Sequence, residues 1–119
     1  MTATEPRPNV LDPNCASRRL LERLTHKWSI LVVYALRNRP LRHSELLRLL
    51  EGVSQKVLTE TLRAMERDAV VERRTVDAMP PYVEYALTDL GQSLSEPLDA
   101  ICRWAMDHWD AFGEATTPR

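Results

Sequence analysis

The sequence predicts a mainly helical domain that carries one small β-hairpin, an α+β fold. Apolar residues recur every three or four positions over most of the chain, which indicates amphipathic helices. Two short stretches rich in β-branched residues, 70–76 and 82–88, flank a loop with two prolines and indicate a hairpin. The length of 119 residues and the hydrophobic content of 44% fit a single domain with a modest core.

We expect the chain to have three parts. Residues 1–14 are polar and contain three prolines, which indicates a flexible arm. Arg7 in this arm is either a solvated charge or a contact to a phosphate backbone. Residues 15–112 would form the folded domain, and residues 113–119 would form a tail.

Composition excludes several classes of protein. No apolar run approaches the roughly 20 residues that cross a bilayer, and the longest, Ile30–Leu36, is far shorter. The polar N-terminus lacks the apolar core of a signal peptide. Cys15 and Cys102 stand far apart, without the spacing of metal ligands. We therefore expect a cytoplasmic protein with two thiols, no membrane contact, no metal and no cofactor.

Charge is unevenly distributed along the chain. The net charge is −1, which taken as a whole argues against a nucleic-acid ligand. However, residues 1–81 carry a net charge of +4 and residues 82–119 a net charge of −5. A basic body with an acidic C-terminal end is typical of a protein that presents one face to phosphate. An acidic surface helix would produce a similar pattern.

Two helices are predicted in the first third of the chain. The first covers residues 15–24, with Asn14 as the expected N-cap. Its apolar face consists of Leu20, Leu21 and Leu24. The second covers residues 28–36 and has a wide apolar arc, which indicates a central and mostly buried helix.

A short helix, a tight turn and a longer helix follow at residues 43–68. Residues 43–50 form the short helix, and its inward side is expected to comprise Leu46, Leu49 and Leu50. Gly52 in the turn is free to adopt a left-handed conformation. The longer helix covers residues 53–68, with Ser54 at its N-cap. This helix-turn-helix pattern is typical of DNA-binding proteins, although ordinary helical hairpins share it.

The helix over residues 53–68 has two unlike faces. Its apolar stripe consists of Leu58, Leu62 and Met65. The opposite side carries donors that can reach base edges and phosphates, namely Gln55, Lys56, Thr59 and Arg63. Ser54 and the free backbone N–H groups beside it can also donate to phosphate. A solvated amphipathic helix would show the same stripe, so this helix alone does not decide the function.

The predicted hairpin, about residues 70–88, directly follows this helix, in the place where a wing follows a recognition helix. Its loop, Asp77–Pro81, is stiff because two prolines fix the backbone and cannot donate to a strand ladder. Alternating apolar residues in the second strand indicate one buried face. Arg73 and Arg74, at the base of the hairpin, either contact phosphates or are exposed charges that protect a strand edge.

A long helix, about residues 89–112, ends the domain, with Thr88 as its cap and a kink or division expected at Pro97. A small monomer cannot easily bury its apolar surface, so we expect a homodimer, with a fold-back onto the core as the alternative. The expected interface comprises Leu20, Leu98, Ile101, Trp104, Ala105 and Trp109. This helix and Tyr34 could also enclose a small-molecule effector, but packing explains them equally well.

Several motifs occur in order along the chain. They are Cys15, Lys27-Trp28, Ser44-Glu45-Leu46, residues 54–59 (SQKVLT), residues 80–88 (PPYVEYALT), Gly91 and Pro97. Together they resemble the bacterial HxlR-type winged helix-turn-helix regulators, relatives of the MarR group, over about residues 15–104. The resemblance implies a homodimer that binds a pseudo-palindromic site in double-stranded DNA and regulates nearby genes.

The chain departs from the family pattern at three places. Thr25 and His26 stand where two glycines often precede Lys-Trp. Ala69 stands where glycine usually ends the recognition helix, so the helix end requires strain or another cap. Tyr82 replaces a basic residue of the wing, which weakens the case for wing contacts and favours Arg73 and Arg74 instead.

Cys15 has two interpretations. Some members of the family that the chain resembles sense oxidants or electrophiles through a cysteine at the matching position. Arg18 and Arg19 follow it, and a helix N-terminus favours a thiolate. Free cysteines are otherwise mostly small buried hydrophobes. We expect Cys102 to lie in the core or at an interface, with no role in sensing.

Two other classes of function were weighed against a DNA-binding regulator. An enzyme is not expected, because His26, His43 and His108 stand in no recognisable nucleophile or metal arrangement. The alternative is a winged helix that binds protein without specific DNA binding, which the net charge of −1 and Tyr82 favour. Steep salt dependence of DNA binding would separate the two, since it reports counterion release from phosphates.

Overall fold

The computed structural model describes residues 8–112, so Arg7, the start of the arm and the tail 113–119 lie outside the described residues. The helices and strands are α1 (Ala16–Leu24), α2 (Lys27–Leu36), α3 (His43–Leu49), α4 (Gln55–Arg67), β1 (Val71–Val76), β2 (Tyr82–Leu87) and α5 (Asp89–His108), followed by a 3-10 turn at Trp109–Phe112. This order confirms the predicted mainly helical fold with a small hairpin. Among these helices none is long and apolar enough to cross a membrane.

Side chains cap two of the helices as predicted. The Ser54 hydroxyl accepts a hydrogen bond of 3.0 Å from the backbone N–H of Val57 at the start of α4. The Thr88 hydroxyl accepts one of 3.0 Å from Gly91 at the start of α5. The predicted cap of α1 was wrong, because Cys15 and not Asn14 occupies the N-cap position. Turns in the preceding segment engage Asn14, whose N–H donates to the Asp12 carboxylate at 2.9 Å.

Two residues with positive φ lie on either side of the recognition helix α4. Gly52 has a φ of 98° in the turn before α4, as the sequence predicted. Ala69, directly after the C-cap of α4, has a φ of 63°. The strain expected from a missing glycine is therefore present, because a Cβ atom makes the left-handed conformation costly.

The core lies where α2 meets α3, α4 and α5. Val32, Val33 and Leu36 of α2 are buried, which confirms its central position. Leu46, Leu58, Leu62 and Met65 pack into the same cluster. The inward orientation predicted for Leu49 was wrong, since its side chain is 61% exposed.

The helical geometry of α3 explains the error at Leu49. Leu46, Leu47 and Leu50 are buried or partly buried, so the inward arc is centred between Leu46 and Leu47. At about 100° per residue, Leu49 lies outside that arc.

The hairpin pairs in antiparallel register from Val71 opposite Leu87 to Val76 opposite Tyr82. Arg73 and Arg74 lie in the middle of β1, opposite Tyr85 and Glu84, and not at the base where the sequence placed them. A single bridge between Leu41 and Tyr85 attaches the segment before α3 to the outer edge of β2.

The first half of α5 packs closely against the body. A Cβ atom added at Gly91 would collide with the backbone oxygen of Val70, so only glycine allows this approach. The helix runs through Pro97 without the division that the sequence suggested. Leu98 was expected at a dimer interface, but it is only 3% exposed and belongs to the core of the single chain. The reason is that α5 packs against α2, so part of its apolar surface is buried within the chain.

Candidate nucleic-acid interface

Helix α4 has a buried back and an exposed front. Leu58, Leu62 and Met65 are buried against the core. The side chains of Gln55, Lys56 and Arg63 are exposed on other sides of the helix. The burial pattern therefore leaves these donors accessible to a ligand on the surface.

Each polar residue of this front has a different local environment. The Lys56 ammonium lies 3.9 Å from the Glu60 carboxylate, a loose and exposed pair that leaves the charge available. Arg63 forms no ion pair within residues 8–112. Ser54 accepts a bond as the helix cap, and its hydroxyl proton is still able to donate to a phosphate.

Thr59 is half-buried because a second helix contacts it. Its hydroxyl lies 3.1 Å from Nε2 of His43, at the start of α3. The sequence analysis did not assign His43 to the site, because the two residues are 16 positions apart. This contact attaches the start of α3 to the front of α4.

The two arginines of β1 differ in their partners. The Arg74 guanidinium forms an ion pair of 3.0 Å with Glu72 and lies opposite Glu84 in the ladder. Arg73 has no carboxylate partner among the described residues. Of the two, Arg73 therefore carries the more available charge on the wing.

A third cationic group lies beside the wing. The guanidinium carbon of Arg42 is 3.5 Å from the centroid of the Tyr82 ring, which is a close cation–π stack. Arg42 precedes α3, and Tyr82 is the first residue of β2. Arg42 was not predicted from the sequence, because nothing in the local pattern places it near the wing.

Cys15 lies at the start of α1 within a small network of hydrogen bonds. Its sulfur is 3.0 Å from the Ser17 hydroxyl and accepts a bond of 3.3 Å from the backbone N–H of Asn9. The hydrogen bond from Ser17, followed by that from Asn9, lowers the pKa of the Cys15 thiol. Burial raises the pKa of Cys102 instead, and the neighbouring Asp99 carboxylate adds to that effect. Only Cys15 thus lies in surroundings that favour a thiolate.

Apolar side chains are exposed on α1, on the second half of α5 and on the 3-10 turn after it. The exposed fractions are 55% for Ile101 and 58% for Trp104 on α5, and 59% for Trp109 at the start of the turn. On α1, Leu20 and Leu21 are more than two-fifths exposed. We call these five residues the terminal apolar surface. The fold-back of α5 onto the core does not cover it.

The predicted effector space is not a single pocket. Trp104 and Trp109 border a cleft of about 240 Å³ on α5. Tyr34 lines a separate cleft of about 350 Å³ between α2 and α3. The structure therefore does not bring Tyr34 and the tryptophans together. Within residues 8–112, no cluster of three or more histidine, cysteine or acidic side chains could hold a metal ion.

A helix-turn-helix whose second helix exposes polar donors, followed by a two-stranded wing, defines the winged helix-turn-helix class of transcriptional regulators. Comparison with known proteins identifies the family within this class. The chain belongs to the HxlR-like helix-turn-helix family, whose model matches residues 23–112. The resemblance seen in the sequence motifs is thereby confirmed.

Relatives and solved structures agree with this assignment. The chain is 40% identical over 96 residues to the uncharacterized HTH-type transcriptional regulator YtfH of Escherichia coli (strain K12), covering 81% of this chain and 76% of YtfH. The structure of YtfH from Salmonella typhimurium, described as a transcriptional regulator, is similar with a TM-score of 0.80 and 35% identity, over 89% of this chain and 95% of that one. The structure of the redox regulator HypR in its oxidized form is similar with a TM-score of 0.72 and 29% identity, over 78% of this chain and 96% of that one.

Proposed function

We propose that the protein binds double-stranded DNA sequence-specifically as a homodimer and regulates transcription from a pseudo-palindromic operator. The observation that carries this proposal is the exposed front of α4. In this proposal Gln55 and Thr59 would contact base edges, and Arg63 would contact a guanine or a phosphate. Ser54, Lys56, Arg73 and Arg74 would contact the phosphate backbone on either side.

The homodimer is supported by the terminal apolar surface. Tryptophan and isoleucine side chains this exposed are unfavourable in water, and a second copy of the chain offers a surface of the same kind. We assign Leu20, Ile101, Trp104, Ala105 and Trp109 to the interface, while Leu98 is excluded by its burial in the core. In such a dimer, two copies of α4 would read half-sites about one turn of duplex apart.

DNA binding is tested by fluorescence anisotropy of the purified protein. The probes are the DNA upstream of its own gene and a random duplex of equal length, over a series of salt concentrations. We expect tighter binding to the upstream fragment and a steep fall in affinity with salt, since each neutralised phosphate releases counterions. Weak, equal and salt-insensitive binding to both probes would contradict the proposal and favour the protein-binding winged helix.

We further propose that Cys15 makes this regulator responsive to oxidants. The hydrogen bonds from Ser17 and Asn9 favour the thiolate, which is the reactive form of cysteine. The similarity to the redox regulator HypR is consistent with this role. The anisotropy measurement is repeated after treatment with diamide, on the wild type and on Cys15→Ser and Cys102→Ser variants. Loss of diamide sensitivity in the Cys15 variant alone is expected, and an insensitive wild type would refute the role.

A further inference from the structure

We propose that Arg42, held against the ring of Tyr82, forms a DNA phosphate-binding site between the recognition helix and the wing. This inference rests on the proposed DNA binding and adds a site that neither the sequence motifs nor the family assignment identifies. Its ligand is a backbone phosphate of the duplex, so it would contribute affinity without reading sequence.

The geometry of the stack leaves the donors of Arg42 available. The guanidinium carbon lies 3.5 Å from the centroid of the Tyr82 ring, so the ring covers one face of the planar group. Its N–H bonds lie in the plane and point outward at the edge, where a phosphate can accept two of them. The stack also restricts the side chain, so less conformational entropy is lost when it binds.

Arg42 carries an available charge. Within residues 8–112, no carboxylate lies within ion-pair distance of its guanidinium. The nearby carboxylate of Glu45 is engaged elsewhere. One of its oxygens accepts a bond of 2.8 Å from the backbone N–H of Arg42, and the other lies 3.7 Å from the Arg39 guanidinium.

Contacts on both sides place Arg42 between the two DNA-facing elements. Leu41, directly before it, exchanges two backbone hydrogen bonds of 3.0 and 2.7 Å with Tyr85 of the wing. His43, directly after it, contacts Thr59 on the front of α4 at 3.1 Å. A duplex with its groove on α4 and its backbone against the wing would pass over this position.

The stack also adds a positive charge at the start of β2. Tyr82 itself carries no charge on the wing. In the structure, the guanidinium of Arg42 occupies the surface above that position. The charge is thus supplied from the segment before α3, and Tyr82 provides the surface that holds it.

The test measures anisotropy with upstream and random duplexes over a salt series, for the full-length wild type and four variants. Arg42→Gln removes the charge, Tyr82→Leu removes the ring, and Tyr82→Phe retains the ring. Arg103→Gln, on α5, is the control for removal of an exposed arginine. Circular dichroism and size exclusion verify that each variant folds and assembles as the wild type does.

We expect Arg42→Gln to weaken binding to both duplexes by the same factor, about tenfold for each charged hydrogen bond and so about a hundredfold for the two copies of a dimer. The slope of log affinity against log salt should become shallower by about two for a dimer, since each copy loses one phosphate contact. Tyr82→Leu should weaken binding, while Tyr82→Phe and Arg103→Gln should leave it unchanged.

Three outcomes would overturn the inference, and they separate it from the proposed function. If the wild type binds with steep salt dependence and Arg42→Gln gives the same slope of log affinity against log salt, Arg42 does not bind a phosphate. DNA binding itself would still stand. A loss confined to the upstream duplex would make Arg42 a base-reading residue instead. A wild type that binds neither duplex would refute both proposals.

Discussion

The Arg23 guanidinium forms two hydrogen bonds, of 2.8 and 3.1 Å, with the carboxylate of Asp68. Arg23 lies in the last turn of α1, and Asp68 is the C-cap of the recognition helix α4. A carboxylate at the C-terminus of a helix is unfavourable, because it lies at the negative end of the helix dipole. The ion pair compensates for this placement and raises the pKa of Arg23.

Replacement of Arg23 alone should therefore lower the free energy of unfolding more than replacement of Arg23 and Asp68 together. We expect Arg23→Gln to lower the free energy of unfolding, because it leaves the Asp68 carboxylate without its bidentate partner at the negative end of the helix dipole. The Arg23→Gln, Asp68→Asn double variant should recover part of that loss. Urea denaturation of the wild type, Arg23→Gln, Asp68→Asn and the double variant gives the coupling energy directly. Strictly additive effects would show that the pair contributes nothing.

Ala69 offers a direct way to stabilise the protein. Its φ of 63° is strained for alanine and unstrained for glycine. Ala69→Gly should raise the free energy of unfolding by about 0.5–1 kcal/mol, since relief of strain exceeds the added entropy of the unfolded chain. Gly52→Ala, at a φ of 98°, should have the opposite sign and is the matched control. Thermal unfolding of the wild type and both variants measures these changes in stability. A lower stability of Ala69→Gly than of the wild type would contradict the prediction.

The two thiols should differ in reactivity with pH. The pKa of Cys15 is lowered, so its thiolate persists at a lower pH than that of an ordinary cysteine. The pKa of Cys102 is raised by burial. The rate of alkylation by iodoacetamide is followed by mass spectrometry of the two peptides over a series of pH values. As the pH is raised, the rate should begin to increase at a lower pH for Cys15 than for Cys102. Ser17→Ala should move the pH profile of Cys15 to higher pH, because it removes the hydrogen bond that lowers the pKa of the thiol most. Equal pH profiles for Cys15 and Cys102 in the wild type would contradict the predicted difference.

Arg63 and Lys56 should affect DNA binding in different ways. If Arg63 reads a guanine, Arg63→Ala weakens operator binding by about 1–3 kcal/mol and relaxes the preference at one base pair. Lys56→Ala should weaken binding to all sequences equally and flatten the salt dependence, since it contacts a phosphate. A panel of operators with single base changes distinguishes the two. Unchanged affinity of the Arg63 variant would remove that residue from the interface.

Charge on the terminal apolar surface should separate the proposed dimer. Trp104→Glu would place a carboxylate among apolar side chains of the partner, and the burial of that charge is costly. Light scattering should then give about the mass of one chain, 13.7 kDa, in place of twice that value. Met79→Glu is the control, because Met79 is 96% exposed at the tip of the wing. A monomeric wild type would contradict the assignment.

Local patterns in the sequence predicted the elements of the fold, because helix periodicity, caps and proline loops act over a few residues. Ser54, Thr88 and the stripe of α4 are examples. The errors involve packing between elements. Leu98 and Ile101 both looked available to a partner, and only the approach of α5 to α2 buries one and leaves the other exposed.

The candidate site divides in the same way. The donors of α4 were predictable, since they occupy the side of a single helix opposite its apolar stripe. Arg42 was not, because it reaches the wing only through contacts with residues about 40 positions away. The same holds for Arg23 and Asp68, which are 45 positions apart. Local charge patterns contain no information about such pairs.

The hydroxyl of Thr88 joins the segment directly after α4 to the start of α5. It donates to the backbone oxygen of Ala69 at 2.6 Å, lies 3.2 Å from that of Val70, and accepts from Gly91 in α5. The end of the recognition helix and the beginning of α5 are thus held by one side chain. In the proposed dimer, the angle at which two α5 helices meet would therefore determine how far apart the two recognition helices lie. The length of DNA between the half-sites would then be determined by α5, which itself reads no base.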